Sequence, residues 1–331
     1  MVLSGDQPKV VVEDHSTATD SHISLLQAHL PKSFALLRRL QFAQRAPSPT
    51  SHVLIATSRG DGGETGHHFA AAYVDVFKAP ETQVWLYSTL EDSVPDDDSD
   101  DGTVTATAAL PDGPDVDRCV EQVLAMLRRV RDISREAEAD NAGPPVGIDG
   151  VGRPDSFMVG ALDETVRRLL LERGVRTLYR NPHYKFLFRV GDLPTPSGLR
   201  PLAADMRWDA IGKEDVPLII SRTNIPKTES TLMTLPSLGI RLSDGTLVAW
   251  SFLGVDGTLS TLHCEEPFRG RGLAKAMATK LIKDHNEGFG NDGFCAADVH
   301  ISNAQSQAVC RSIGGRKGWR VSWSIIANAS L

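Results

Sequence analysis

The stretch from Leu238 to Met277 limits the fold of this chain more than any other. Three short apolar runs, 238–242, 246–253 and 258–265, are separated by Asp244-Gly245 and Asp256-Gly257. Asp-Gly between apolar runs is a two-residue hairpin signal, because such turns favour positive φ. The runs therefore read as an antiparallel three-strand meander. It leads straight into "EEPFRGRGLAKAM", a cationic loop poor in side chains, and then into a helix expected over 272–285. Leu273, Met277 and Leu281 form one stripe of that helix, and Ala274, Ala278 and Ile282 another. A loop of this kind clears space for a ligand to reach the unpaired N–H groups of a helix start.

Beyond the loop, 294–300 reads as a strand. Ser302 is expected to cap the next helix, with Gln305 completing a capping box and Gly314-Gly315 ending it, before a last strand over 319–325. The first half gives a helical pattern over 21–45 interrupted by Pro31, strands over 52–57, 69–77 and 83–90, a helix over 115–138, a second helix near 162–173 and strands near 175 and 184–190. The expected organisation is a polar tail over 1–20, a first domain over 21–190, a Gly/Pro-rich linker over 191–200 and a second domain over 201–331.

The 331 residues suffice for two cores, and 41% hydrophobic with 23% charged residues is a globular composition. A net charge of -7 argues against nucleic acid as a partner, which calls for a basic face. Cys119, Cys264, Cys295 and Cys310 are scattered without a CxxC pair, so no metal site and no disulfide scaffold is expected. No run of about 18 apolar residues is present, so no membrane span is expected, and the compartment expected is the cytoplasm.

Three phosphate-binding patterns compete for the loop. The P-loop pattern is absent. The dinucleotide fingerprint begins with Gly270 and Gly272, but Lys275 occupies the third small position and the preceding strand belongs to an antiparallel meander. The third pattern fits: Arg269, Gly272 and Ala274 make R-x-x-G-x-A between a strand and a helix. With "HISNAQSQAVCRSIGG" one strand later, where Asn303, Ser306 and Gly314 fall in place, the chain from about 199 to 331 resembles the GNAT superfamily of acyl-CoA-dependent N-acyltransferases. "TLVAWSF", "FRGRGLA" and "GWRVSW" are most similar to its glycine N-acyltransferase branch.

The resemblance implies an α/β (α+β) fold with a central, mostly antiparallel sheet flanked by helices. It implies acetyl-CoA or another acyl-CoA as co-substrate, with no metal. The pyrophosphate would sit on Arg269, Gly270, Arg271, Gly272, Leu273 and Ala274, and the pantetheine arm along the backbone edge of Leu262 to Cys264, near Asn303.

Amide formation from a thioester needs a neutral amine, proximity, oxyanion donors and a proton for the thiolate. His263 is the candidate base, with His300 behind it, while Glu265 and Glu266 read as loop residues. The chain departs from the family pattern twice. Thr258 stands where glycine N-acyltransferases carry Glu, and Cys310 stands where many members place the Tyr that protonates the thiolate. Seven residues at 100° each bring Cys310 back to the face of Asn303, which makes its thiol the candidate acid.

The element order of the first half repeats that of the second, so it reads as a degenerate copy. "EDSVPDDDSDDG" replaces its phosphate loop and would repel an anion. Asp97, Ser99, Asp101 and Gly102 mimic a calcium loop, but Ala108 takes the place of the bidentate Glu, leaving a solvated acidic loop. The expected activity is transfer of an acyl group, acetyl, from CoA to the primary amine of a small molecule. A peptide N-acetyltransferase and a non-catalytic acyl-CoA-binding protein are the alternatives.

Overall fold

A computed structural model describes residues 9–59, 65–95, 109–139, 155–223 and 225–331. The chain divides into two compact units. Of the described residues, the first holds those up to 181 and 321–331, and the second holds 182–320.

In the first unit the elements run β1 (Lys9–His15), α1 (Asp20–Gln27), α2 (Phe34–Arg45), β2 (His52–Arg59), β3 (Thr65–Val74), β4 (Val84–Ser88), α3 (Pro114–Ala139), β5 (Ser156–Asp163), α4 (Glu164–Glu172) and the start of β6 (Thr177–Arg189). The second unit has the rest of β6, β7 (Met206–Asp209), α5 (Val216–Ser221), α6 (Glu229–Leu232), β8 (Ser237–Leu242), β9 (Leu247–Leu253), β10 (Thr258–Cys264), α7 (Leu273–His285), β11 (Phe294–His300), α8 (Ala304–Ser312) and the start of β12 (Arg316–Ala327). The order is the same twice over. Strands lie side by side as β1-β2-β3-β4-β5-β12 in the first unit and β6-β11-β10-β9-β8-β7 in the second. Among the described residues each unit contains one parallel pairing, and each is only two register pairs long: Val84↔Val159 and Trp85↔Gly160 for β4–β5, Thr258↔Ala296 and Leu259↔Ala297 for β10–β11.

Burial follows the sequence periodicity. The α3 stripe of Val120, Val123, Leu124, Leu127 and Ile133 packs on Leu54, Ala70, Ala72 and Val84 of the first sheet. Leu273 and Met277 of α7 pack on Ile240, Val248 and Ala249. Burying each such side chain contributes about 1.5–3 kcal/mol, so the loop preceding α7 is tethered to a fixed helix. Pro31 falls between α1 and α2, where the interrupted pattern placed a break.

Several expectations need correction. Lys9–His15, read as part of a polar tail, form β1 and pair with β2 over seven positions, because Val10 and Val12 pack against the first core. The stretch 191–200, read as a linker, lies within the second unit, while the boundaries near 181 and 320 fall inside β6 and β12. The second unit thus takes its outermost paired strand, 183–189, from before that stretch, with seven register pairs to β11 from Phe294↔Arg189 to His300↔His183. Both Asp-Gly turns form, yet only the glycines, at φ +91° for Gly245 and +68° for Gly257, take positive φ. The aspartates instead accept hydrogen bonds: Asp244 Oδ1 from Thr246 N at 2.9 Å, Asp256 Oδ1 from Thr258 N at 3.3 Å. The cap of α8 is Asn303, not Ser302: Ser306 N donates to Asn303 Oδ1 at 3.0 Å, one residue later than the capping-box pattern implied. The calcium-like positions 97–102 and Ala108 lie outside the described residues.

Candidate active site

The cationic loop runs from the end of β10 to the start of α7. Gly270 at φ +74° and Gly272 at +83° occupy the left-handed region, which L side chains enter at a cost. A Cβ added at Gly270 would meet nothing within 4 Å, and at Gly272 only Arg200 Cβ at 3.9 Å. Packing therefore does not require these glycines; the backbone path does, and open space lies before it. The two arginines fold back onto the loop. Arg269 Nε donates to Cys264 O at 2.9 Å, and Arg271 Nη2 donates to Pro267 O at 3.0 Å, with its guanidinium 5.1 Å from the Phe268 ring centroid. Both side chains remain exposed, so two guanidinium charges sit beside the free N–H groups of the first turn of α7.

After Leu259 the register pairing of β10 with β11 ends, and the two strands part. On its other side β10 stays paired with β9, but with a bulge. Ser260 faces Phe252 and His263 faces Trp250, so three steps on β10 oppose two on β9. The extra residue is absorbed at Thr261, whose φ is +53°. Strict alternation would turn His263 to the face opposite Ser260. The bulge returns it to the same face, which Thr258 shares. Leu262 and Cys264 pack toward Leu273 and Met277, so their side chains belong to the core and only their backbone is left for an extended ligand. The carbonyl of Cys264 is already taken by Arg269.

The His263 ring stacks on Trp250 with centroids 4.5 Å apart and 20° between planes. Its Nε2 is buried without a hydrogen-bond partner; Glu265 Oε1 lies 3.7 Å away, beyond hydrogen-bonding range. Burial first and the Arg269 charge second hold its pKa below the ordinary 6.5, against the opposing pull of Glu265. The imidazole is thus neutral at pH 7. Glu265 is itself engaged by Arg222 Nε at 2.9 Å. His300 lies at the end of β11, where its Nδ1 accepts from Ser302 N at 3.2 Å and its ring meets His183 edge-on at 5.4 Å.

Asn303 is exposed and spends its Oδ1 on the helix cap. Cys310 is 3% exposed, and burial pushes its thiol up to about 12. An ordinary thiol titrates near 8.5, so handing a proton from Cys310 to a departing thiolate is uphill by about 5 kcal/mol. Along α8 the exposed Asn303 and the buried Cys310 thus differ in environment.

Sequence reading missed two features. The bulge at Thr261 carries no signal, since a β-branched residue is a poor indicator of positive φ. The other is a group of charged side chains removed from solvent, the Lys185–Asp298 pair between β6 and β11 and Asp256 in the β9–β10 turn, of which Asp256 reads in sequence as a turn residue only.

Known proteins show the same architecture. The family model of the acyl-CoA N-acyltransferase verG N-terminal domain matches residues 8–186, more than half of the chain. The chain belongs to this acyl-CoA N-acyltransferase family. A second model, FR47-like protein, matches 237–324, which contains the loop and the β10–β11 cleft. Among solved structures, a Drosophila protein is similar over 98% of this chain and 99% of its own, with TM-score 0.58 and 16% identity. The GCN5-related N-acetyltransferase from Sphaerobacter thermophilus covers 96% of this chain and 95% of its own at TM-score 0.53 and 12% identity. A tandem GNAT protein from the clavulanic acid biosynthesis pathway covers 96% and 98% at TM-score 0.51 and 10% identity. No curated protein is significantly similar to the chain. Its family is thus one of acyl-CoA N-acyltransferases, and its fold is the one that the tandem GNAT protein and the GCN5-related N-acetyltransferase share. Among its described residues no helix is long and apolar enough to cross a membrane, and no cluster of three or more His, Cys, Asp or Glu is placed to hold a metal ion.

Proposed function

We propose that the second unit transfers an acetyl group from acetyl-CoA to the primary amine of a small molecule in the cytoplasm. The observation that carries this reading is the joining of a two-pair parallel crotch, Thr258↔Ala296 and Leu259↔Ala297, to a loop with Gly270 and Gly272 in the left-handed region at the start of α7. The parted strands leave room for the pantetheine arm along β10. The loop offers N–H groups, a helix dipole and the charges of Arg269 and Arg271 to the pyrophosphate.

In the reaction the amine nitrogen attacks the thioester carbon, and the carbon–sulfur bond then breaks. His263, neutral and half-buried, takes the proton released from nitrogen, and its imidazolium returns that proton to the CoA thiolate. Cys310 has no part in this scheme. Among its described residues the first unit has no corresponding cationic loop: Asp115 and Asp117 stand in the first turn of α3. We assign it to bracing the protein or shaping the acceptor side.

Calorimetry with acetyl-CoA, followed by a panel of small amines and short peptides with detection of free CoA thiol, tests the reading. Binding with thiol release for small amines supports it. Release with peptides alone moves the acceptor to a polypeptide, and binding without release for any amine returns a non-catalytic acyl-CoA-binding protein.

A further inference from the structure

A carboxylate stands beside the candidate base. Glu265 N donates to Val248 O at 2.9 Å, so the pairing of β10 with β9 runs one residue past the end of the strand. Glu265 therefore follows His263 by two extended residues and shares its face. Their polar ends are close, with Glu265 Oε1 3.7 Å from His263 Nε2. That ring nitrogen is buried with no hydrogen-bond partner, an arrangement that costs free energy until a ligand completes it.

The cation that Glu265 now holds comes from the end of α5. Arg222 Nε donates to Glu265 Oε1 at 2.9 Å, and the arginine side chain is 44% exposed. An ion pair so open to water contributes little and exchanges readily. Arg269, the other cation near His263, is turned to the Cys264 carbonyl. Glu265 Oε1 thus has an exposed guanidinium as its counter-ion and an unsatisfied ring nitrogen as its neighbour. One nitrogen donor can serve both. Placed about 2.9 Å from each, it sees them about 80° apart, and two N–H bonds of a tetrahedral nitrogen meet such a pair at about 155°. The guanidinium Nε carries a single hydrogen, which Glu265 takes, and so leaves His263 Nε2 unserved; an ammonium carries enough hydrogens for both.

We propose that Glu265 binds the nitrogen of the acceptor, as a primary alkylammonium ion that displaces Arg222. The inference rests on the acyl-transfer reading above and narrows its substrate class to basic alkylamines, charged at neutral pH, as against arylamines. The bound ammonium keeps one N–H on Glu265 and directs a second at His263 Nε2. That second proton passes to the imidazole, which leaves a lone pair on nitrogen, and the imidazolium gives the proton to water. Acyl transfer then starts from the neutral amine and a neutral His263, as described above, and one proton is released to solvent per turnover. Glu265 is a binding residue: it selects the amines that reach the base.

The test uses the full chain at about pH 8, where an imidazole is neutral. With histidine ring nitrogens labelled for NMR, methylammonium should shift the His263 signal, identified by its loss in His263→Asn, and methanol, of the same size but neutral, should not. Glu265→Gln keeps the volume and removes the charge; the shift should then need at least about tenfold more methylammonium. Arg222→Ala removes the internal competitor, so about threefold less should suffice. With the best alkylamine of the panel, Glu265→Gln should raise KM at least about tenfold and change kcat less, the mark of lost ground-state binding. Loss of acetyl-CoA binding by the wild type, or no thiol release with any amine, overturns the functional reading itself. Normal acyl transfer with an unshifted His263, with KM for Glu265→Gln within twofold of wild type, or with arylamines as the better acceptors overturns the role of Glu265 alone.

Discussion

The imidazole of His263 lies flat against Trp250, with centroids 4.5 Å apart and planes 20° from parallel. Trp250 is fully buried, so the stack fixes the ring and keeps water from one of its faces. Desolvation disfavours the imidazolium, and the pKa falls. A base works in its neutral form, so the rate should be independent of pH above about 6.5 on account of this group and fall only in more acidic solution. His263→Asn should lower kcat by about 10²-fold or more and remove that acidic limb. A kcat–pH profile of both proteins checks this; an unchanged limb in the variant assigns the titration to another group.

Gly272→Asp should abolish acetyl-CoA binding. The change places an L side chain at φ +83°, at a cost of about 1–2 kcal/mol, and aims a carboxylate at the open space before α7. Unchanged affinity by calorimetry in a folded variant removes the loop from the cofactor site. Gly270→Ala should weaken binding less, because its Cβ enters open space without adding charge.

Because 183–189 pairs with all of β11, a fragment beginning at Leu199 should not fold stably. It lacks the buried Phe186 and Phe188 and leaves Asp298 without the Lys185 ammonium. A fragment spanning 182–320 keeps the second unit whole and should bind acetyl-CoA. Circular dichroism and calorimetry on the two fragments decide the boundary, and a folded, binding fragment from Leu199 refutes it.

Asp163 caps α4, accepting from Thr165 N at 2.7 Å and Val166 N at 3.1 Å. Burial outweighs these bonds and raises its carboxyl to about 6, with Glu164 adding to the rise and Lys32 opposing it. The buried Glu91 carboxyl, raised by burial and then by Asp163, faces the same site. A carboxyl raised in the folded state is destabilising once ionised. Stability should fall as pH rises from near 4 through 6, by up to about 3 kcal/mol. Asp163→Asn keeps a cap acceptor and should flatten that dependence in urea unfolding between pH 4 and 7.

Cys310→Ala should leave turnover within about twofold and cost about 1 kcal/mol of stability, as for a small core truncation. A tenfold loss in kcat at unchanged stability would restore the thiol to the chemistry.

The sequence by itself determined the elements from β8 to α8 and the loop between β10 and α7. Asp-Gly punctuation, helical stripes and the R-x-x-G-x-A spacing are local signals, and β8 to α8 appear within a residue or two of where they point. It also determined that the first half repeats the order of the second. Tertiary structure decided what depends on pairing between distant segments. Which strand completes each sheet was invisible, because β6 and β12 carry apolar runs that fit either unit. Thr261 adopts positive φ only because β9 holds the strand on both sides of the bulge, and that bulge, not alternation, chooses the face of His263. Lys185, Asp256 and Asp298 come from a strand, a turn and another strand. Only burial, which removes the water that would otherwise screen their charges, makes the three side chains depend on one another.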